Sequence, residues 1–111
     1  MTKDEFLIQG LFERIQAVEW HEEKAASNRR KHGIDFDEAV EIFYEPSLVR
    51  RSDRHKEERW LAIGESKGRV ITVAFTWRGD TLRIISARHA RRNERRAYHQ
   101  EKVGRAAEGQ D

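Results

Sequence analysis

Arginines are concentrated near the end of the chain. Residues 83–96 contain six arginines and a single acid, Glu94. The planar guanidinium group makes paired hydrogen bonds with phosphate and stacks on bases, so this composition is typical of a protein that binds a polyanion. If a helix begins near Arg88, one side of it carries basic residues at helical spacing, namely Arg88, Arg91, Arg92, Arg95 and His99. Such a basic stripe suits the backbone of a nucleic acid, and it suits equally a protein partner that covers it.

The composition of the whole chain limits the class of protein. The 111 residues are enough for one domain, and a hydrophobic content of 37% with three Trp and five Phe supports a small core. Although 38% of the residues are charged, the net charge is only +2, which argues against disorder. Residues 1–50 carry a net charge of −4 and residues 51–111 carry +6. The basic character therefore belongs to the second half.

Cysteines and long apolar runs are both absent from the sequence. Without cysteine the chain has no disulfide framework, no cysteine nucleophile and no Cys-based zinc site. No apolar run approaches the ~20 residues of a membrane helix, and no signal peptide is visible. We therefore expect a soluble protein of the cytoplasm that makes no contact with membranes.

Helical patterns follow an N-terminal extension of residues 1–17, which we expect to be a short amphipathic segment or a partly ordered arm. Residues 22–32 are acidic at the start and basic at the end, as the helix dipole favours, and Gly33 follows as a left-handed C-terminal residue. A second helix begins at once, because Asp35 and Glu38 have the spacing of a capping box. The pattern thus predicts two N-terminal helices.

The pattern then changes to short strands rich in β-branched and aromatic residues. The predicted strands span residues 48–50, 59–63, 69–77 and 81–87. Their short connections imply antiparallel neighbours, and a final helix from Arg91 to about Lys102 precedes a flexible tail of residues 104–111. The predicted fold class is α+β: two N-terminal helices, an antiparallel meander sheet of about four strands and a C-terminal helix, with the helices on one face of the sheet.

Short motifs occur along most of the chain in a fixed order. They begin with Glu19-Trp20 and Lys31-His32-Gly33, and they are densest at Arg83-Ile-Ile-Ser-Ala-Arg88 and Glu94-Arg95. Their order and spacing resemble those of BrnT-type toxins of type II toxin–antitoxin systems. His21 departs from this pattern, because the family usually places Asp after the Trp, where it would cap the first helix.

The resemblance carries several expectations. It implies a compact RelE-like toxin domain over residues 18–103 and a ribonuclease that halts translation by cutting RNA. It also implies a cognate ribbon-helix-helix antitoxin, which neutralises the toxin and binds their shared promoter DNA together with it. The toxin itself would meet promoter DNA only within that complex.

RNA can be cut without a metal when the 2′-hydroxyl attacks the adjacent phosphate. The protein then supplies a base, an acid for the leaving oxygen and positive charge for the phosphorane. Metal-assisted cleavage would require clustered acids or paired histidines, whereas the acids of this chain lie on helix faces beside basic residues and no HxxxH pair occurs. We therefore expect metal-independent cleavage with no cofactor.

His32 is the first candidate for proton transfer. Its imidazole titrates near neutral pH, and it ends the first helix, where Gly33 exposes it. Lys31, beside it, is a candidate phosphate contact. The alternative is that His32 caps carbonyl groups at the helix end and that Lys31 is an ordinary solvated lysine.

Arg59 and Arg88 are the candidates for stabilising the phosphorane. Arg59 opens a strand and Arg88 ends the return strand, so both are expected to be held rigidly while exposed. By alternation along its strand, Arg88 shares a face with Leu82 and Ile84. The alternative for either arginine is an ion pair with a helix acid such as Glu38 or Glu41.

The arginines of the last helix complete the predicted site. We assign RNA binding to Arg91, Arg92 and Arg95, which lie on the basic stripe. The alternative is a protein of another class, a non-catalytic module that binds nucleic acid or a protein partner through the arginine helix. The two hypotheses differ in geometry, because a catalyst requires His32, Arg59 and Arg88 to converge on one open face, whereas a binder requires only the stripe.

Overall fold

A computed structural model describes residues 5–8, 11–53 and 56–108. The elements are, in chain order, β1 (Glu5–Ile8), a 3-10 turn (Leu11–Arg14), β2 (Ala17–Glu19), α1 (Glu22–His32), α2 (Phe36–Val40), a second 3-10 turn (Glu41–Tyr44), β3 (Ser47–Arg51), β4 (Trp60–Ser66), β5 (Arg69–Arg78), β6 (Thr81–His89) and α3 (Arg92–Glu108). Within these ranges no helix has both the length and the apolar character needed to cross a bilayer.

The four predicted strands form the centre of the sheet, and the α+β class is confirmed. In the described ranges the strand order is β1-β3-β4-β5-β6-β2, and every neighbouring pair is antiparallel except β2 and β6. The predicted all-antiparallel sheet of about four strands is therefore corrected to a mixed sheet of six. Both added strands come from the segment before α1, which pairs with opposite edges of the meander.

The helices lie on both faces of the sheet, so the prediction that they cover one face is wrong. Helices α1 and α2 pack on the main core, which includes Phe36, Val73 and Ile84. Helix α3 packs on the other face through Tyr98 and Ala97, against the strand residues Leu48 and Ile63, which point away from the main core. Because each strand places alternate side chains on opposite faces, both faces of β3 and β4 contribute apolar residues.

The ends of the helices agree with the sequence in part. Helix α1 ends as predicted, with Gly33 at φ 69° and its N–H donating to the Arg29 carbonyl over 2.9 Å. Asp35 precedes α2, but the predicted capping box does not form, because Asp35 bonds to Arg29 and Glu38 bonds to other partners. Helix α3 continues to Glu108, beyond its predicted end, and so includes residues 104–108 of the predicted flexible tail.

A register shift divides β6 into two parts. Phe75 pairs with Ile84, whereas Ala74 pairs with Ser86, so Ile85 is an extra residue on β6. A bulge of this kind reverses the alternation of the side chains that follow it. Ile84 faces the main core, and beyond the bulge Ser86 and Arg88 face α3 instead.

Candidate functional site

A cleft of about 390 Å³ opens on the face of the sheet that carries α3. Five arginines and one acid line it: Arg50, Arg51, Arg59, Arg88, Arg91 and Glu94. Its floor is made by side chains of β4, β5 and β6, namely Leu61, Ala74 and Ser86. Because Ala74 and Ser86 are small, the sheet leaves room for a ligand between the arginines.

Strand ends and the start of α3 position these arginines. Arg50 and Arg51 lie at the end of β3. Arg59 immediately precedes β4, the strand that pairs with β3. Arg88 lies near the end of β6, and Arg91 is the residue before α3. The cleft is therefore the meeting point of four strands and one helix N-terminus, whose dipole also favours an anion.

The bulge at Ile85 is what brings Arg88 into the cleft. Simple alternation predicts Arg88 on the face of Leu82 and Ile84, and the structure shows that this prediction is wrong. Those two residues are buried in the main core, whereas Arg88 pairs across the sheet with Thr72 on the α3 face. One extra residue separates the apolar part of the strand from the part that carries the arginine.

Arg88 forms an ion pair with Glu94 rather than with Glu38 or Glu41. Its Nη1 and Nη2 atoms donate to the two carboxylate oxygens of Glu94 over 2.7 and 2.9 Å. Glu94 is buried, and its carboxylate also accepts the Arg91 backbone N–H over 2.8 Å and the Thr72 hydroxyl over 3.1 Å. Burial alone would raise the pKa of Glu94, but these bonds outweigh it and lower the pKa from 4.5 to about 2.

Acids of the segment before β4 contact two further arginines of the cleft. Arg51 donates to Asp53 over 3.0 Å and to Glu58 over 2.5 Å. Arg59 donates from Nη2 to Glu57 over 3.3 Å. The Arg59 Nε–H is buried, and within the described part of the chain no acceptor bonds to it. The side chain is 24% exposed, and in the described residues only one bond, from Nη2, engages its terminal nitrogens, so Arg59 retains terminal donors for a ligand.

The structure brings only part of the predicted site together. Arg59, Arg88 and Arg91 line one cleft, as a shared role requires. The other two predicted RNA-binding residues, Arg92 and Arg95, are exposed on α3 outside the lining, and Arg95 donates to the Ala90 carbonyl over 2.6 Å. The basic stripe is therefore divided between the cleft and the outer surface of α3.

Lys31 and His32 end α1, on the opposite face of the sheet, and do not line the cleft. Asn28, one helical turn before His32, bonds to the backbone of Ala87, the neighbour of Arg88. His32 thus lies on the side of α1 that approaches the outer edge of β6. A catalytic role for Lys31 or His32 stays a prediction.

The sequence-based hypothesis missed two kinds of site residue. Arg50 and Arg51 end a short strand, and nothing in their local pattern separates them from other surface arginines. Glu94 did carry a signal, because it follows Arg91 by three residues, the spacing at which a glutamate side chain bonds back to the start of a helix.

The arrangement is suited to an anion with several oxygens. Arginine forks make paired hydrogen bonds with phosphate, and the one carboxylate of the lining is already bonded to Arg88. Within residues 5–8, 11–53 and 56–108, no three histidine, aspartate or glutamate side chains form a group that could hold a metal ion.

Comparison with known proteins agrees with this chemistry. The sequence model of the family described as "Ribonuclease toxin, BrnT, of type II toxin-antitoxin system" matches residues 20–94. These residues run from just before α1 to the first turn of α3 and include all five arginines of the cleft. A comparison with individually curated proteins found no match. Since the family model covers more than half of the sequence, the chain belongs to the BrnT family of ribonuclease toxins of type II toxin–antitoxin systems.

Proposed function

We propose that this toxin cleaves RNA in the arginine cleft, the surface lined by Arg50, Arg51, Arg59, Arg88 and Arg91. The observation that carries the proposal is the convergence of Arg59, Arg88 and Arg91 from three separate elements on one open cleft. A binding surface alone would need positive charge along one helix, whereas here charge surrounds a space of about 390 Å³. Positive charge around one phosphate is what a phosphorane transition state requires.

The reaction we propose is attack of the 2′-oxygen on the adjacent phosphorus. The new bond joins the 2′-oxygen to phosphorus, the bond to the 5′-oxygen breaks, and the products are a 2′,3′-cyclic phosphate and a 5′-hydroxyl. Arg59 and Arg88 stabilise the added charge on the non-bridging oxygens. The 2′-hydroxyl loses its proton to a base, and the leaving 5′-oxygen gains one.

Lys31 and His32 are our candidates for phosphate contact and proton transfer at the edge of this site. RNA that is held at Arg88 and leaves the cleft over the outer edge of β6 passes the end of α1, because Asn28 holds α1 against Ala87. Proton transfer by His32 requires the scissile linkage to lie at this edge of β6, within hydrogen-bond reach of the imidazole. Arg92 and Arg95 guide the RNA on its other side along α3.

We propose that the cleavage is independent of metal ions. Five arginines around one carboxylate repel a divalent cation and themselves supply the charge that it would bring. We propose that this loss of intact RNA halts translation in the cytoplasm. Type II systems pair a toxin with an antitoxin, and here we propose a ribbon-helix-helix antitoxin that binds the shared promoter DNA in complex with the toxin.

The test is cleavage of single-stranded RNA by the purified protein in the presence of EDTA. We expect discrete products with 2′,3′-cyclic phosphate ends, and no cut where a 2′-deoxynucleotide precedes the scissile phosphate. Arg59→Ala and Arg88→Ala should each lower the rate by about 100-fold or more, the usual loss on removing one charge-stabilising donor.

The matched control is Arg78→Ala, an exposed arginine at the far end of β5, outside the cleft. Its rate should stay within about twofold of the parent, because surface charge far from the site affects association only weakly. RNA binding without cleavage by the folded parent protein would overturn the ribonuclease proposal and favour the non-catalytic binding module. Full activity of Arg59→Ala and Arg88→Ala would move the active site elsewhere.

A further inference from the structure

Glu94 forms an unusually complete set of bonds for a side chain that lines a cleft. It is only 2% exposed, and its two oxygens accept from Arg88, from the Arg91 backbone and from Thr72. These partners come from β6, the start of α3 and β5. The carboxylate is therefore fixed in place from three directions.

The pairing leaves one edge of Arg88 open. A guanidinium group has five N–H donors, and Glu94 uses one from Nη1 and one from Nη2. The second N–H of Nη1 points to the His89 carbonyl at 3.3 Å. In the described residues nothing bonds to the Nε–H or to the second N–H of Nη2, which lie together on the other edge of the plane. That edge has the two-pronged geometry that matches two phosphate oxygens.

We propose that Glu94 is the positioning residue of the site: by holding two terminal nitrogens of Arg88, it directs the remaining edge of the guanidinium toward the scissile phosphate. This inference rests on the proposed function of the cleft. An arginine side chain has several rotatable bonds and loses conformational entropy when it is held in one orientation. Because Glu94 orders Arg88 before the substrate binds, the reaction step does not bear this cost. Glu94 itself does not touch the RNA.

A second buried glutamate, Glu38, forms an ion pair with an arginine outside the cleft. Glu38 on α2 is 7% exposed and accepts from Arg69 over 2.8 Å and from Ser66 over 3.2 Å. Neither Glu38 nor Arg69 lines the cleft. Glu38→Gln thus makes the same chemical change in a comparable ion pair, and it is the matched control for Glu94→Gln.

The experiment compares both variants with the parent in single-turnover cleavage of a labelled RNA at saturating protein, and in RNA binding. We expect Glu94→Gln to lower the single-turnover rate by ~10–100-fold, as for other residues that orient a catalytic group, while the Kd changes by less than about threefold. Glu38→Gln should leave the rate within about twofold, although both variants lose stability. An unchanged rate in folded Glu94→Gln would overturn the inference.

The arginine itself provides a signature that a structural role would not change. In the parent, the nitrogen-bound protons of Arg88 should give separate NMR signals, because the paired bonds to Glu94 slow rotation of the guanidinium. In Glu94→Gln these signals should merge, and in Glu38→Gln they should stay separate. Merged signals with full activity would show that Arg88 needs no positioning.

Two variants, Thr72→Val and Arg88→Ala, distinguish failure of the positioning role from failure of the proposed site. If Glu94→Gln does not fold, Thr72→Val removes one hydroxyl that bonds to Glu94 while both charges remain, and it should lower the rate by ~3–10-fold. A rate equal to that of the parent would again overturn the inference. If Arg88→Ala cleaves normally, the proposed site fails, whereas an inactive Arg88→Ala with an active Glu94→Gln contradicts the positioning role alone.

Discussion

The side-chain amide of Asn28 forms hydrogen bonds with both the carbonyl and the N–H of Ala87. Its Nδ2 donates to the Ala87 carbonyl over 2.8 Å, and its Oδ1 accepts the Ala87 N–H over 3.0 Å. A second bond from Nδ2 reaches the Ile34 carbonyl over 3.0 Å. Strand β2 covers only the first three residues of β6, so Asn28 takes the place of a neighbouring strand at Ala87. It thereby joins α1, the loop after it and the strand that carries Arg88.

Replacement of Asn28 by Ala should strongly destabilise the fold. Asn28 is 6% exposed, and its loss leaves buried backbone groups of Ala87 and Ile34 without partners. The expected loss is about 3 kcal/mol in the free energy of unfolding, from the cost of such unsatisfied groups. Urea unfolding followed by tryptophan fluorescence measures it. Asn28→Asp, which keeps an acceptor but no donor, should be at least as unstable; a loss under about 0.5 kcal/mol in either variant contradicts this role.

The stability of the protein should depend on the charge of Glu94 in acid. Its pKa is about 2 in the folded protein against 4.5 in the unfolded chain, because the bonds from Arg88, Arg91 and Thr72 outweigh its burial. A lowered pKa gives stability that is complete above pH 4.5 and is lost as the pH falls toward 2. The contribution at neutral pH is about 3 kcal/mol.

Urea unfolding of the parent and of Glu94→Gln between pH 2 and pH 6 measures this contribution. The difference between their unfolding free energies should be largest above about pH 4.5 and should shrink as the pH falls. Other acids with lowered pKa values, such as Glu38, affect both proteins alike. A difference that stays constant over the whole range is incompatible with the assignment.

Phosphate contact by Arg91 should be visible in the salt dependence of RNA binding. Each phosphate contact to single-stranded RNA contributes about 0.7 to the slope of log K against log salt concentration. Arg91→Ala should therefore reduce the slope by about 0.7. Arg96→Ala is the control, because Arg96 lies on the outer surface of α3 beside His99. Equal slopes for the parent and Arg91→Ala would remove Arg91 from the contact surface.

Growth of cells that express the toxin without its antitoxin tests whether Arg88 needs both donor edges of its guanidinium group. Arg88→Ala should restore growth, and Arg88→Lys should do so nearly as well, because an ammonium group keeps the charge but cannot bond to Glu94 and a phosphate through two separate edges. Protein levels must match those of the parent. Full toxicity of Arg88→Lys would mean that charge alone is sufficient at this position.

Local patterns in the sequence predicted the elements with strong periodicity or clear end signals. The charge gradient and Gly33 predicted α1 correctly, and the β-branched run predicted β5 within one residue. The capping box at Asp35 did not form, since Arg29 offered a stronger partner for its carboxylate. The same type of bond formed instead at Glu94, where the glutamate reaches the Arg91 N–H.

The parts that the sequence did not predict depend on residues far apart in the chain. The pairing of β2 with β6 joins residues 17–19 to residues 81–83, and no local pattern indicates it. The face on which α3 packs is decided by Tyr98 and its partners Leu48 and Ile63. The position of Arg88 depends on one unpaired residue, and alternation extended through it gave the wrong face.

The extra residue at Ile85 also separates the positions of β6 whose substitution affects the cleft from those whose substitution affects the main core. Substitutions at Ser86 or Arg88 alter the cleft while the packing of Leu82 and Ile84 stays as it is. Loss of Ile85 itself would join Ile84 directly to Ser86 in regular alternation, so that Arg88 would stay opposite Thr72 on the α3 face. Substitutions at the cleft positions of this strand can thus change its chemistry without repacking the core.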